Sequence, residues 1–301
     1  MRIAFAAAVS LMLAAASHAQ AQPQGAVQAP VQASAEPPVF RAVKIVLVGD
    51  STTAVQGGWG PSFCGKHVMS AAACVNLARG GRSSGSYRTE GSWNIALSEM
   101  KSGGFSATYV LIQFGHNDQP GKPGRSTDLA TEFPVFLKRY VEETRAAGAI
   151  PVLLTPLTRR QFKDGKLIRD LELWAQATRQ VAAETRTPLV DLHQASADAV
   201  DAMGAAAATR FAQVPPSVEI LAAARTGTTI SSQPATPAAS AAIANTPNQT
   251  QQNNAAVEPM GAAKLSFDYT HLGGEGADYF ATMVTAGLAR AVPALRRDLI
   301  P

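Results

Sequence analysis

The chain has 301 residues, of which 46% are hydrophobic and 16% charged, with a formal net charge of +4. That is ample for one large globular domain, or at most two. The charge is small and no basic block carries interleaved aromatics, which argues against nucleic-acid binding, although a mildly basic surface suits an acidic substrate.

The chain opens with Arg2, the apolar stretch "IAFAAAVSLMLAAA" and the small residues "SHAQAQ". The apolar run is short for a membrane span, so residues 1–21 read as a secretory signal peptide. "AQPQGAVQAPVQASAEPP" reads as a disordered lead-in, to about residue 41. The expected location is secreted or periplasmic, with no membrane association after cleavage. The first β-forming run, "VKIVLVG" (43–49), leads straight into Gly49-Asp50-Ser51. Either Asp50 or Ser51 caps the following helix, or the strand is a rigid post that presents Ser51.

Cys64 and Cys74 come next and are the chain's two cysteines. In an oxidising compartment they form either a small-loop disulfide or two free buried thiols. No His or carboxylate stands beside them at metal-ligand spacing. Further apolar runs follow at "CVNLA" (74–78), "TYVLIQFG" (108–115), "IPVLLTP" (150–156) and "PLVDLH" (188–193). Continuous apolar runs predict strands buried on both faces.

Helical patterns lie between them. In "DLATEFPVFLKRYVEETRAAG", Asp128 is the expected N-cap and Gly148 the stop. "RDLELWAQATRQVAAET" and "EGADYFATMVTAGLARAV" repeat the periodicity, while "FKDGKLI" predicts a hairpin around Asp164-Gly165. Residues 217–261 are rich in Ala, Thr, Ser, Pro, Gln and Asn. They are expected to form a disordered insertion with a helical beginning. Strand-helix alternation predicts an α/β fold with a parallel sheet, whose site lies at the carboxyl ends of its strands.

A serine nucleophile needs a base, a group to orient that base and donors for the oxyanion. His18 leaves with the signal peptide, and His67 reads as a surface or packing residue. His271 in "FDYTHLGGEGA" stands three residues after Asp268, a spacing that on a tight turn aims a carboxylate at Nδ1–H. Asp191 and His193 compete as a second pair, and spacing alone leaves both open. Asn117 in "IQFGHND" and the backbone N–H groups of Ser51 and Gly81 could surround an oxyanion, the glycine permitting close approach. The Gly80–Gly85 stretch lacks the ending of a phosphate-binding P-loop, and no dinucleotide fingerprint follows the first strand. No cofactor or metal is expected.

Gly49-Asp50-Ser51, a glycine after the second strand, Gly-x-Asn-Asp after the third and Asp-x-x-His near the end resemble the four blocks of SGNH (GDSL-type) hydrolases. "GWG", "GGRSSGSYRTEGSW", "LIQFGHND" and "LTPLTRRQF" are similar to signatures of the rhamnogalacturonan acetylesterases among them. The resemblance covers about residues 42–200 and 264–292. It implies a three-layer flavodoxin-like fold, a five-stranded parallel sheet between helices, and metal-independent deacetylation of pectic polysaccharide. It makes Ser51 the nucleophile, His271 the base and Asp268 its partner. Ser51, Gly81 and Asn117 become the oxyanion donors, and Asp191 and His193 are demoted to structural roles.

Arg82, Arg159 and Arg160 follow strands at that face and are the expected substrate contacts, since Arg pairs bidentately with carboxylates. The alternatives are the same chemistry on acetylated xylan, an envelope glycan or small acyl esters, or a carbohydrate-binding protein without catalysis.

Overall fold

A computed structural model describes residues 42–231 and 267–301. The expected leader and lead-in, and most of the expected insertion, lie outside those residues. The elements are β1 (Val43–Gly49), α1 (Gly60–Ser62), β2 (Ala73–Asn76), α2 (Ser86–Thr89), α3 (Ser92–Met100), β3 (Ala107–Gln113), α4 (Phe133–Ala146), β4 (Ile150–Leu154), β5 (Phe162–Lys163), β6 (Lys166–Leu167), α5 (Glu172–Glu184), β7 (Leu189–Val190), α6 (Leu192–Met203), α7 (Ala205–Ala208), α8 (Val218–Arg225) and α9 (Gly274–Ala291).

Five strands form one parallel sheet in the order β2-β1-β3-β4-β7. Side chains alternate across a strand, and each face carries its own core. Ile45, Leu47, Leu111, Val152, Leu154 and Val190 pack under α6 and α9. Val46, Val48, Val110, Ile112 and Leu153 pack under α3, α4 and α5. The result is a three-layer α/β sandwich whose central strands are buried on both faces, as unbroken apolarity requires, whereas β2, at the sheet edge, is only half-buried. The order reverses between β1 and β3, and a crevice opens at that switch point beyond the carboxyl ends of the two strands.

Three local expectations shift. Helix α4 starts at Phe133 rather than after Asp128. Pro134 lacks an N–H and favours the first helical turn, so Asp128 instead closes the preceding turn, accepting from the N–H groups of Ala130 and Thr131 at 3.0 and 2.7 Å. The fifth strand ends at Val190, and Asp191 caps α6. Residues 217–231 belong to the fold. Ser217 caps α8, Ile220 joins a small core with Phe267 and Tyr269, and the Gly165 N–H donates to the Gly227 carbonyl at 2.9 Å. That contact braces the β5–β6 hairpin, where Asp164 and Gly165 take φ of 50° and 77°, as a tight two-residue turn requires.

Cys64 and Cys74 are joined in a disulfide that fastens the segment after α1 to β2, 10 residues apart. Closing so short a loop removes denatured-state entropy worth about 2–3 kcal/mol. Replacing both cysteines by serine should lower unfolding free energy by about that amount, read as a lower urea midpoint at unchanged slope. An unchanged midpoint would show that the bridge contributes no stability.

Candidate active site

Strand β1 ends in a tight turn, where the N–H groups of Thr53 and Ala54 donate to the Asp50 carbonyl at 3.1 and 3.0 Å. The Asp50 side chain turns inward and accepts from the Thr52 N–H and hydroxyl, each at 2.8 Å. Ser51 is therefore left at the crest, facing a cleft of about 250 Å³. Gln113, the last residue of β3, braces this turn. Its Oε1 accepts from Thr53 Oγ1 at 2.5 Å and Trp59 Nε1 at 3.0 Å, and its Nε2 donates to the Thr155 carbonyl at 3.1 Å. One amide thus joins β1, β3 and β4 beneath the cleft.

The turn before α9 brings the imidazole over Ser51. The Ser51 hydroxyl donates to His271 Nε2 at 2.9 Å, and His271 Nδ1–H donates to Asp268 Oδ2 at 2.7 Å. Asp268 Oδ1 accepts from the N–H groups of Thr270 and His271 at 2.7 and 2.6 Å. Burial pushes the Asp268 carboxyl up, but the bonds and charge from His271 outweigh it and bring the pKa down to about 2. The carboxylate is thus ionised at neutral pH and holds His271 with Nε2 free to accept a proton. Gly57 lies against this imidazole at φ 82°, and a Cβ there would stand 2.8 Å from Gln213 Nε2 and 3.3 Å from His271. Its carbonyl accepts from the Leu272 N–H at 2.8 Å.

Gly81 and Asn117 line the same cleft as the imidazole. Gly81 takes φ 76°, which a side chain would strain. Asn117 Nδ2 donates one hydrogen to the Arg82 carbonyl at 3.0 Å, which orients the amide and leaves its second hydrogen for the cleft. The N–H groups of Ser51 and Gly81 have no hydrogen-bond partner among the described residues. Both neighbours of Asn117 are anchored. Asp118 accepts from Ser84 Oγ at 2.5 Å and Thr127 Oγ1 at 2.9 Å, and its burial pushes its pKa up to about 7. The His116 ring stands 3.4 Å from Asp50 Oδ2. Burial holds His116 below the usual imidazole range. Burial alone would raise Asp50, but the neighbouring ring and the Thr52 donors outweigh it and hold it low. The serine turn and the asparagine loop are thereby tied beneath the cleft.

Of the three expected substrate arginines, only Arg159 lines the cleft. It is already paired with Asp170 and donates to Thr270 Oγ1 at 3.2 Å. Arg82 is buried, with Nε on Glu90 at 2.8 Å and Nη1 on the Gly80 carbonyl at 2.6 Å, so it shapes the glycine loop rather than the cleft. Arg160 is 1% exposed and donates to the carbonyls of Asp268, Thr270 and His271 at 3.1, 3.2 and 2.8 Å. It supports the histidine turn from inside. The sequence pointed instead past two cations that do line the cleft, Lys122 and Arg125. They lie in a polar loop with no motif, and their only signal was closeness to Asn117.

His193 and Asp191 stand apart. His193 is buried, with Nδ1–H donating to the Pro156 carbonyl at 3.2 Å, and Asp191 pairs with Arg179 at 2.8 Å. Neither lines the cleft. His67 packs against the C-terminal segment through the Ile300 carbonyl at 2.9 Å.

A serine hydroxyl bonded to an imidazole, itself bonded to a carboxylate, with an asparagine amide and a glycine in the same cleft, is equipped for acyl transfer. Residues 47–210 match the GDSL-like Lipase/Acylhydrolase family. The probable rhamnogalacturonan acetylesterase YesY of Bacillus subtilis is 35% identical over 159 residues, which are 50% of this chain and 71% of that protein. The rhamnogalacturonan acetylesterase RhgT of the same organism is 34% identical over 158 residues, 50% of this chain and 65% of that one. Among solved structures, the Bacillus subtilis protein YxiM superposes with a TM-score of 0.53 at 20% identity, covering 84% of this chain and 57% of that one, a likeness of fold.

Two outcomes follow from the support of the histidine turn. Arg160→Met removes three donors from under Asp268, Thr270 and His271. Misplacement of a reacting group by about 1 Å costs on the order of 10²-fold, so kcat on a soluble acetate ester should fall by about that factor. A lowered melting temperature with unchanged kcat would reduce Arg160 to a packing role. For Asp268, the folded pKa of about 2 lies below the ordinary 3.8. Its stabilising contribution is complete above the ordinary value and lost as pH falls toward 2. The stability gap between the native chain and Asp268→Asn should therefore be flat above pH ~4 and shrink below it, as measured by denaturant unfolding across pH.

Proposed function

The chain belongs to the GDSL-like lipase/acylhydrolase family of ester hydrolases, and from that premise we propose that it removes O-acetyl groups from pectic polysaccharide. Ser51 Oγ attacks the acetyl carbonyl while His271 Nε2 takes its proton and Asp268 stabilises the resulting imidazolium. The oxyanion of the tetrahedral intermediate is received by the N–H groups of Ser51 and Gly81 and by Asn117 Nδ2. Collapse expels the sugar alkoxide, which takes the proton from His271. Water, activated by the same imidazole, then hydrolyses the acetyl-serine and restores the site.

The observation that carries the substrate class is the cleft's lining. Among the described residues no Ala, Val, Leu, Ile, Met, Phe, Tyr or Trp lines it, and three cations, Lys122, Arg125 and Arg159, share it with the triad. Such a lining provides no run of aliphatic side chains for a long acyl chain, and its cations favour a polymer that carries negative charge. The relatives named rhamnogalacturonan acetylesterase support the same reading. The Cys64–Cys74 disulfide and the leader-like start support action outside the cytoplasm, where disulfides persist.

Acetate release from acetylated pectin and acetylated xylan, measured side by side, tests the substrate: turnover of xylan alone would overturn the pectic reading. Ser51→Ala and His271→Ala should each lower kcat by roughly 10⁴–10⁶, with the double variant no worse than either. Asn117→Ala should lower kcat by about 10²–10³ with little change in KM, because the bond strengthens in the transition state. A loss expressed wholly in KM would contradict the oxyanion role.

A further inference from the structure

We infer that Lys122 and Arg125 form a carboxylate subsite beside Ser51, which holds the uronate group of the sugar chain while the acetyl ester is cleaved. This inference rests on the pectic reading above and assigns the residues that would read the substrate's charge.

Neutralisation by neighbouring acids separates the cations of this face. Arg159 is spent on Asp170, Arg82 on Glu90 and Arg88 on Glu143. Arg160 is consumed by three carbonyls of the histidine turn. Lys122 and Arg125 differ: among the described residues neither meets a carboxylate within ion-pair distance. Lys122 Nζ donates to the His116 carbonyl, and Arg125 Nη1 reaches only the Gly81 carbonyl, at 3.4 Å. Both ends of this cation pair therefore rest on the two loops that supply the oxyanion donors. Among the described residues the one acid lining the cleft, Asp268, is engaged by His271. A negative group entering the cleft thus finds two charges without an anion, and no competing free carboxylate.

The pair is also built rather than draped. The 118–127 loop closes on itself: the Thr127 N–H donates to the Asp118 carbonyl at 3.0 Å and the Arg125 and Ser126 N–H groups to the Lys122 carbonyl at 3.0 and 2.9 Å. Ser126 Oγ donates to the Gln119 carbonyl at 2.8 Å, and Gln119 Nε2 donates to the Asp170 carbonyl at 3.0 Å. Lys122 and Arg125 are both partly buried. Ordering that is already complete before binding lowers the entropic cost of the contact. The cleft, at about 250 Å³, lies below the roughly 300–1,000 Å³ of drug-sized pockets. An acetyl group on Ser51 and a carboxylate on the same or the next sugar would therefore both touch its walls.

Charge at Lys122 should be sensitive to pH. Burial, and then the facing Arg159, lower its pKa to about 8; Arg125 adds to this, while Asp50 and Asp118 oppose it. The cation is present below that pH and fades above it.

The test compares kcat/KM on acetylated galacturonate oligosaccharides with free carboxylates and on the same oligosaccharides methyl-esterified. The native enzyme should prefer the free acid by about tenfold at pH 7 and 50 mM salt, the factor that ~1.4 kcal/mol supplies. The preference should shrink as pH rises through 8. In the Lys122→Gln/Arg125→Gln double variant the ratio should fall to near one, and Lys122→Arg should keep it and carry it above pH 8. Native-like melting of each variant establishes the comparison, and if the double variant fails to fold, the pH profile of Lys122→Arg decides. A folded double variant that keeps the full preference would overturn the subsite and leave the pectic reading standing. Equal turnover of both forms by the native enzyme would overturn the subsite as well. Acetate release from acetylated xylan and from neither pectic form would remove the pectic reading, and the subsite with it.

Discussion

The buried guanidinium of Arg160 is the contact on which the site's geometry depends. The residues that must meet, Ser51 and His271, lie 220 positions apart, and no regular element carries the second. The 267–271 segment is an irregular turn, and irregular backbone has carbonyls that need donors. Arg160 supplies them from inside, three at once. Its own backbone N–H donates to the Tyr269 carbonyl at 2.9 Å. A buried charge without such partners would be strongly destabilising. Here burial lowers the Arg160 pKa to about 10, which still leaves it a cation at neutral pH. A side chain that never touches the cleft therefore sets where the imidazole stands.

The opposite wall is held by different means. It grows from the point where the strand order turns from β1 to β3. Adjacent parallel strands diverge there, and their following loops part to leave a crevice. Ser51 follows one strand and Asn117 the other. Gln113, the Asp50–His116 pair and Asp118 stitch those loops together below the surface. Gln113 and Asp118 do so through hydrogen bonds, while Asp50 and His116 meet at 3.4 Å as a charge contact with no hydrogen bond between them. Under the proposed mechanism rigidity here matters chemically, because oxyanion donors act by standing in place before charge develops.

The two cores explain why this arrangement tolerates a polar, charged opening. Apolar side chains from both faces of the sheet are buried against helices, so stability does not rest on the cleft. The cleft can therefore expose Lys122 and Arg125 without acid partners among the described residues, the arrangement on which the proposed anionic subsite rests.

The five strands, the hairpin at Asp164-Gly165, α5 and α9 were legible in the sequence, because apolar periodicity and φ-permissive residues act locally. Ser51, Asn117, Asp268 and His271, which the fold brings to one cleft, were marked by motifs in the turns that follow a strand or precede a helix. The start of α4 was misplaced by one turn, where the constraint of Pro134 overrode the capping signal of Asp128. The helix at the start of the 217–261 stretch was legible, but its packing was hidden by composition: Ala and Thr look unable to bury a core, yet Ile220 meets Phe267 and Tyr269. The roles of the arginines were not legible at all. Arg82, Arg159 and Arg160 are alike as letters near strand ends, and only the folded chain shows which meets an acid, which meets carbonyls and which faces the cleft. Local patterns determined the sheet and marked the candidate site residues. The tertiary structure alone decided which charges remain unspent, because the partner of a charge is set by distance in space, and sequence separation does not encode it.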